Sequence, residues 1–290
     1  MIYDSERNVF YPGDSDCVLP HVMWHITDVC PLSCPYCFSP KTEQAVLPEA
    51  IDRILTIFEQ LGVQKIDIGG GEPLVYQHLP MLIEKIRAQG ICCTLTTSGV
   101  GRRDNLEFLP SLAPHLTRLI MSLDAYGGAH DRLRGNINAW KNVNNIVRQL
   151  DETTRRQKLR INTVATSSFE FESTFEQLAK WVDQSGVREW CLIQPHPANQ
   201  KETYKDYHLS ERQFEAVVQR AKQLLESEVA LIVRKSSLYS DYWVLHPSGL
   251  LQKHTTGAVD GVGIDVALND IEDITAVILS SGASAPLEEK

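Results

Sequence analysis

Several features that would fix this chain's class at once are missing. No apolar run reaches the ~18 residues that a membrane-spanning helix needs. There is no basic excess: the formal net charge is −9. Binding to nucleic acid runs on clustered Lys and Arg, so a broad nucleic-acid surface is excluded. The local clusters, at Arg102–Arg103 and at Arg155, Arg156, Lys158 and Arg160, read as solvated helix ends. The opening residues, MIYDSERNVFYPGDSD, are too acidic and polar for a secretory signal. A disulfide framework is also lacking. Of seven cysteines, three are bunched together, which fits a reducing cytoplasm better than an oxidising compartment. No serine–histidine–aspartate set or paired-carboxylate pattern stands out. What remains is ordinary for a soluble globular protein, at 43% hydrophobic and 22% charged residues. The 290 residues suffice for one large α/β barrel.

The bunched cysteines are the distinctive feature. WHITDVCPLSCPYCFSP, from Trp24 to Pro40, holds Cys30, Cys34 and Cys37 at the spacing C-x3-C-x2-C. Prolines at 31, 35 and 40 keep the segment from running on as a helix. Three thiolates so close form a soft-ligand claw suited to zinc or to an iron–sulfur cluster. A structural zinc site is normally closed by a fourth Cys or His at short spacing, and none follows here; the next cysteines are Cys92 and Cys93. Three cysteines on a four-iron cluster leave one iron open, and an open metal position marks catalysis more than scaffolding.

Around the claw the chain alternates between two periods. HVMWHITD (21–28), KIDIG, ICCTLTTSG, LTRLIMSLDA, LRINTVATSS and REWCLIQPH read as buried strands. Between and after them, apolar residues recur at helical spacing: Leu47 to Leu61 after Pro48, Leu79 to Ile86, a stretch near 103–113, Trp140 to Leu150, Phe171 to Val182 and Phe214 to Leu224. Six strand–helix units in strict alternation imply a parallel sheet with helices outside it, wound by right-handed crossovers. The predicted fold class is therefore α/β, a partial (β/α)6 TIM-type barrel. Residues 1–20 are expected to be an irregular lead-in, with at most one short edge strand. Residues 21–227 form the barrel. Residues 228–275 form a C-terminal cap, with a strand in EVALIVRKSS and a hairpin in DYWVLHPSGLLQK. Residues 276–290 are a tail without structure. The chemistry of such barrels sits where strands end. The cysteine segment follows the first strand, and GGGEP (69–73) follows the second. Consecutive glycines let backbone approach a ligand closely, and Glu72 can accept from an ammonium.

The three-cysteine spacing, with Tyr36 before the last cysteine, resembles the signature of radical S-adenosylmethionine enzymes, whose core fold is this partial barrel. The resemblance implies a [4Fe-4S] cluster on Cys30, Cys34 and Cys37 and S-adenosylmethionine as second cofactor. In that family one electron from the reduced cluster cleaves the sulfonium C–S bond, and the 5′-deoxyadenosyl radical takes a hydrogen from an unactivated carbon. GGGEP resembles the family's GGE motif, which gives Gly70, Gly71, Glu72 and Pro73 the amino group of S-adenosylmethionine. By the same resemblance, polar groups at later strand ends hold the ribose and methionine carboxylate: Thr97 and Ser98, Ser122 and Asp124, and Asn162. SLDAYGGAHDRLRG resembles a family segment that makes Arg134 a carboxylate partner; a plain salt bridge is the other reading. Leu192 and Gln194 are candidates to flank the adenine. His25 reads as a partly buried histidine of the barrel top rather than a ligand. The loop 196–210, with Tyr204, Tyr207 and His208, is either a solvated loop or a substrate contact.

The resemblance also frames the substrate. No cysteine lies in the C-terminal third, so the auxiliary-cluster extensions called SPASM and twitch are expected to be absent. The lead-in is short, so an N-terminal peptide-recognition module is expected to be absent. SLDAYGGAHDRLRG and QPHPANQK resemble peptide-modifying maturases, which act on ribosomally made precursors and borrow recognition from a partner protein. WHITDVC and the single-cluster plan also resemble viperin-like nucleotide dehydratases. GGGEPLVYQH, however, lacks the basic residues a triphosphate would want. The expectation is a peptide or small-metabolite substrate, with a nucleotide dehydratase as alternative. The implied reductant is an external flavodoxin- or ferredoxin-like protein. A non-catalytic iron–sulfur electron carrier is the remaining class, and it would not bind S-adenosylmethionine.

Overall fold

The structure is a computed structural model that describes residues 2–4, 9–11, 17–37, 39, 41–167, 172–195, 206–236, 242–254 and 262–281. In chain order the elements are β1 (Ile2–Asp4), β2 (Val9–Tyr11), β3 (His21–Thr27), α1 (Ile51–Gln60), β4 (Lys65–Gly70), α2 (Leu79–Ala88) and β5 (Cys92–Thr97). Then come α3 (Arg103–Leu112), β6 (Arg118–Ser122), α4 (Gly128–Arg134), α5 (Ala139–Gln149), α6 (Glu152–Gln157), β7 (Leu159–Val164), α7 (Glu172–Gln184), β8 (Glu189–Ile193), α8 (Glu211–Leu224) and β9 (Ala230–Arg234). The chain closes with β10 (Tyr242–Leu245), β11 (Leu250–His254), β12 (Gly263–Asp265) and α9 (Ile271–Ser280). The described residues fall into two compact units, one drawn from 1–29, 39–95 and 239–281, the other from 30–37 and 96–236.

In the first unit β3 pairs in parallel with β4, and β4 with β5. Burial of Val22, Trp24, Ile26, Ile66 and Ile68 holds these strands together. Trp24 meets Phe58 of α1 edge to face, centroids 5.5 Å apart. Helix α1 follows a short 3-10 turn that starts at Pro48, and it buries Ile51, Ile54, Leu55, Ile57 and Phe58 on one stripe. It stops before Gly62, whose φ of +74° favours a residue without Cβ. Residues 2–4 and 9–11 form a small antiparallel pair where an irregular lead-in was expected.

The stretch 228–275 is not one cap. Strand β9 pairs with β8 in the second unit, whereas β10 runs parallel to β3 in the first. The hairpin β10–β11 and the pairing of β11 with β12 extend that sheet beyond β3. Strand order in the first unit is thus β12-β11-β10-β3-β4-β5. Helix α9 reaches Ser280, so the tail expected to lack structure from 276 is helical for its first five residues. Asp270 caps it by accepting from the Asp273 N–H at 3.0 Å.

The second unit carries the parallel order β6-β7-β8-β9. Trp190, Phe214, Leu178 and Ile161 lie at its centre. Its buried cation Arg160 pairs with Glu189 at 2.8 Å, which is also bonded by Arg118. The expected helices appear as α3, α5, α7 and α8; α4 and α6 are additional. The loop 196–205 and Phe171 lie outside the described residues.

Candidate active site

In the second unit the segment 30–37 turns on a Cys37 N–H donating to the Cys34 carbonyl at 3.2 Å. Cys34 is buried with Leu32, Val100 and Ala139, and Cys30, Tyr36 and Cys37 pack against this cluster. None of the three is joined in a disulfide. The loop is held to the end of α4. The Ser33 N–H donates to the Arg134 carbonyl at 3.0 Å. Gly135 has φ +65°, and a Cβ there would stand 1.9 Å from Ser33 Oγ. The left-handed φ favours glycine, and an added Cβ would push the Ser33 hydroxyl aside. Among the described residues no three His, Cys, Asp or Glu side chains stand where they would hold a single metal ion.

Beside the thiols lies a buried ionic network. Asp124 is fully buried, and its Oδ2 pairs with Arg134 Nη2 at 2.5 Å and accepts from the Tyr36 hydroxyl. Its Oδ1 accepts from the Val164 N–H at 2.8 Å. Arg134 also points Nη1 at Cys34 Sγ, 3.7 Å away. Burial pushes the Cys34 thiol up against the pull of Arg134. Burial, then the neighbouring Asp124 charge, pushes the Tyr36 phenol well above its usual range. The Asp124 N–H donates to His130 Nδ1 at 3.1 Å, which leaves the proton of that neutral ring on Nε2. Burial holds the His130 pKa down at about 3, with the Arg134 charge adding to it. Asp124, Arg134 and Tyr36 were separate candidates in the sequence; the structure joins them. His130 was missed, although HDRLR already placed it one helical turn before Arg134. Tyr207, at the described end of the candidate substrate loop, packs edge-on against Tyr36 with centroids 5.8 Å apart.

In the first unit the glycine loop is pressed onto the chain that leads to Cys30. The Gly71 N–H donates to the Thr27 carbonyl at 2.6 Å and the Glu72 N–H to Val29 at 2.9 Å. A Cβ at Gly70 would lie 2.3 Å from the Thr27 oxygen, and one at Gly71 would lie 2.4 Å from the Val29 oxygen. The glycines thus serve a close approach to this chain's own backbone, whatever ligand they also meet. Glu72 is buried, and its carboxylate accepts from the Leu74 N–H at 3.0 Å across the turn that starts at Pro73. His25 is buried, ring to ring with His246 at 5.6 Å, and burial holds its pKa down at about 3.

The remaining candidates are placed as follows. Thr97 and Ser98 are buried at the end of β5, where Thr97 Oγ1 accepts from the Gly99 N–H at 3.0 Å. Ser122 ends β6 opposite Asn162 of β7, whose buried Oδ1 has no hydrogen-bond partner among the described residues. An orphaned buried acceptor of this kind suits a ligand's donor. Leu192 is buried in β8. Gln194 is used within the chain: its Nε2 donates to the Leu209 carbonyl at 3.1 Å and its Oε1 accepts from the Ser236 N–H at 3.1 Å.

Comparison with known proteins defines the class. The model of the Radical SAM superfamily matches residues 24–182, more than half of the chain. The chain belongs to the radical SAM superfamily. It is accordingly an enzyme, and its cofactors are a [4Fe-4S] cluster and S-adenosylmethionine. It is 24% identical to the S-adenosylmethionine-dependent nucleotide dehydratase of Flammeovirga pacifica over 83% of this chain and 84% of that one. It is 35% identical to the PqqA peptide cyclase of Xanthomonas euvesicatoria over 39% of this chain and 32% of that one. Among solved structures, Streptococcus suis SuiB bound to precursor peptide SuiA matches with TM-score 0.64 at 17% identity, over 89% of this chain and 64% of that one. Native anSMEcpe with bound AdoMet matches with TM-score 0.67 at 15% identity, over 90% of this chain and 80% of that one. The fold class is therefore α/β with a parallel sheet, of the partial TIM-barrel kind. The described residues include no helix long and apolar enough to cross a membrane.

Proposed function

We propose that Cys30, Cys34 and Cys37 hold the cluster, and that the enzyme cleaves S-adenosylmethionine reductively to take a hydrogen from a carbon of a peptide precursor or small metabolite. The observation that carries this reading is the nest of three cysteines around Leu32, Val100 and Ala139, joined to the end of α4 through Ser33 and Gly135. Soft thiolates are the donor set such a cluster takes. A cluster that gives each of three irons one thiolate also asks for wider spacing than a single ion does. When bound, the two cofactors supply a 5′-deoxyadenosyl radical. The chain's part is to bind, orient and exclude water.

In this reading Gly70, Gly71, Glu72 and Pro73 receive the methionine amino group. Thr97, Ser98, Ser122 and Asn162 receive ribose and carboxylate, and Leu192 and the backbone at Gln194 flank the adenine. Tyr36, Asp124 and Arg134 act as one buried network that fixes the Cys34 thiol and its loop. Residues 21–227 are the catalytic barrel, and the enzyme works in the cytoplasm with an external flavodoxin- or ferredoxin-like donor. A peptide substrate is supported by the peptide cyclases and by SuiB with its precursor peptide SuiA. A partner protein that presents the peptide belongs to the same reading.

One finding favours the second reading, a nucleotide dehydratase: that relative alone among those described is matched along most of its length in sequence. Anaerobic assay of the reconstituted enzyme with the peptide encoded beside its gene, and with a panel of nucleoside triphosphates, separates the two. Substrate-dependent 5′-deoxyadenosine with the peptide is the expected result. Formation with a triphosphate alone selects the dehydratase.

A further inference from the structure

Four aromatic rings form a file on one face of the first unit's sheet. Tyr242 of β10 stacks on His254 of β11 at 5.4 Å, and His254 stacks on His246 at 5.7 Å. His246 in turn meets His25 of β3 edge to face at 5.6 Å. Trp24 reaches Phe58 of α1, so by strand alternation His25 looks the other way, away from that helix. The file opens outward: His25 is 7% exposed, while His246, His254 and Tyr242 are half-buried. Packing alone would be served by apolar rings. Here three ring nitrogens, His25 Nδ1, His246 Nε2 and His254 Nε2, are buried without a hydrogen-bond partner among the described residues. Unpaired polar atoms in an interior cost stability, and such a set suits the polar group of a ligand.

The surroundings give the sign of that group. Burial, helped in His25 and His254 by the adjacent imidazoles, keeps the rings neutral: the pKa falls to about 3 for His25 and about 4 for His254, and it is lowered for His246. Among the described residues no lysine or arginine charge acts on them; the fixed charge that does is Asp28, which pulls His246 upward. Asp28 is buried, its Oδ2 accepts from Thr42 Oγ1 at 2.7 Å, and its Oδ1 has no partner among the described residues. An anion would first need a proton on a buried ring and would then face this carboxylate. A neutral group would leave the Asp28 charge uncompensated. A cation answers both: a neutral imidazole offers a lone pair, aromatic faces attract positive charge, and an ammonium carries donors only. Room lies beside His25. Chain neighbours aside, a Cβ on Gly69, its partner on β4, would come within 4 Å of nothing but His25 Cδ2, at 3.9 Å. Gly69 opens GGGEP, so this space borders the glycine loop of the site described above.

We propose that His25, His246 and His254, with Asp28, seat a cationic group of the substrate, a primary ammonium or a guanidinium, beside Gly69. That the bound molecule is the substrate rests on the catalytic reading above; that the seat takes a cation does not. No bond is made or broken on binding and no proton moves. The rings meet the cation with lone pairs and Asp28 balances its charge, so a ligand of the same shape without the charge is held less well.

The test uses the reconstituted enzyme saturated with S-adenosylmethionine, so that the cofactor's own ammonium does not compete. Ligand-observed NMR follows titration of n-butylammonium, guanidinium, n-butanol and butyrate into wild type, His246→Phe and His254→Phe. The Phe variants keep a ring and remove its nitrogens; His254→Gln gives back a polar group. Wild type is expected to hold butylammonium or guanidinium about tenfold more tightly than butanol and butyrate. Each Phe variant should lose most of that preference while iron content and urea midpoint are retained, and His254→Gln should recover part of it. A second readout needs no variant: with isotope-labelled histidine, the bound cation should shift the ring nitrogen signals. Equal affinity for charged and uncharged ligands, a cation preference unchanged in both Phe variants, or histidine signals that do not move each overturn the proposal. So does saturable zinc binding that displaces butylammonium and is lost in the Phe variants, which would make the trio a metal site. Butylammonium should also compete with the substrate that drives deoxyadenosine formation; binding without competition overturns the substrate role. Wild-type protein that makes no deoxyadenosine with dithionite defeats the catalytic reading instead, and the titration still decides whether the seat takes a cation.

Discussion

Asp124 shows how much one buried carboxylate does. It has no exposed surface, yet it compensates Arg134, accepts from Tyr36 and ties down the Val164 N–H. Removing one partner of such a pair strands the other charge. Asp124→Asn is expected to lower unfolding free energy by about 3–5 kcal/mol, read from urea denaturation. Adding Arg134→Met should recover part of that loss, since no unpaired guanidinium then remains; a loss below about 1 kcal/mol in the single variant would show the network is not the tie described. His130 makes a separate prediction. Its folded pKa, about 3, lies below the ordinary 6.5. The unfolded chain therefore takes up a proton in that interval while the folded one stays neutral. Stability falls as pH drops below about 6.5, at a limiting slope of about 1.4 kcal/mol per pH unit for this group. His25, also near 3, acts in the same direction. Denaturation between pH 7.5 and 5 should show the slope, and His130→Gln should reduce it.

At the scale of elements, the cysteine loop depends on the end of α4. Gly135 and Gly90 both have positive φ, but a Cβ at Gly90 meets nothing within 4 Å whereas one at Gly135 strikes Ser33 Oγ. Gly90→Ala should cost about 1 kcal/mol from backbone strain alone. Gly135→Ala should also displace the loop, and so lower iron bound after reconstitution. Equal iron content in the two variants would mean the clamp does not shape the thiol nest. The sequence showed the elements with strong periodicity, such as α1, α5 and β3. It hid α4, because GAHDRLR has one buried residue and no apolar stripe. It hid α6, ETTRRQ, for the same reason. The place of β10 beside β3 was invisible because that pairing joins residues more than two hundred positions apart, and no local pattern encodes that. The cysteine segment and GGGEP stood out as candidates because each is a local run of residues read together with the strand before it. The joining of Asp124 to Arg134 and Tyr36 did not, since it depends on how α4 and the loop pack.

For the molecule as a whole, the family assignment and the thiol nest converge on one chemistry, and the cysteine pattern predicts a single cluster with about four irons per chain. Its substrate is what separates the peptide reading from the nucleotide reading. The central claim, that Cys30, Cys34 and Cys37 load the cluster that cleaves S-adenosylmethionine, is tested most directly by anaerobic reconstitution of wild type and of the Cys30→Ala/Cys34→Ala/Cys37→Ala protein. Iron and 5′-deoxyadenosine are measured on the same samples. The account predicts iron and dithionite-dependent deoxyadenosine in wild type, and neither in the triple variant with its fold retained. A triple variant that still binds four irons and still makes deoxyadenosine would contradict it.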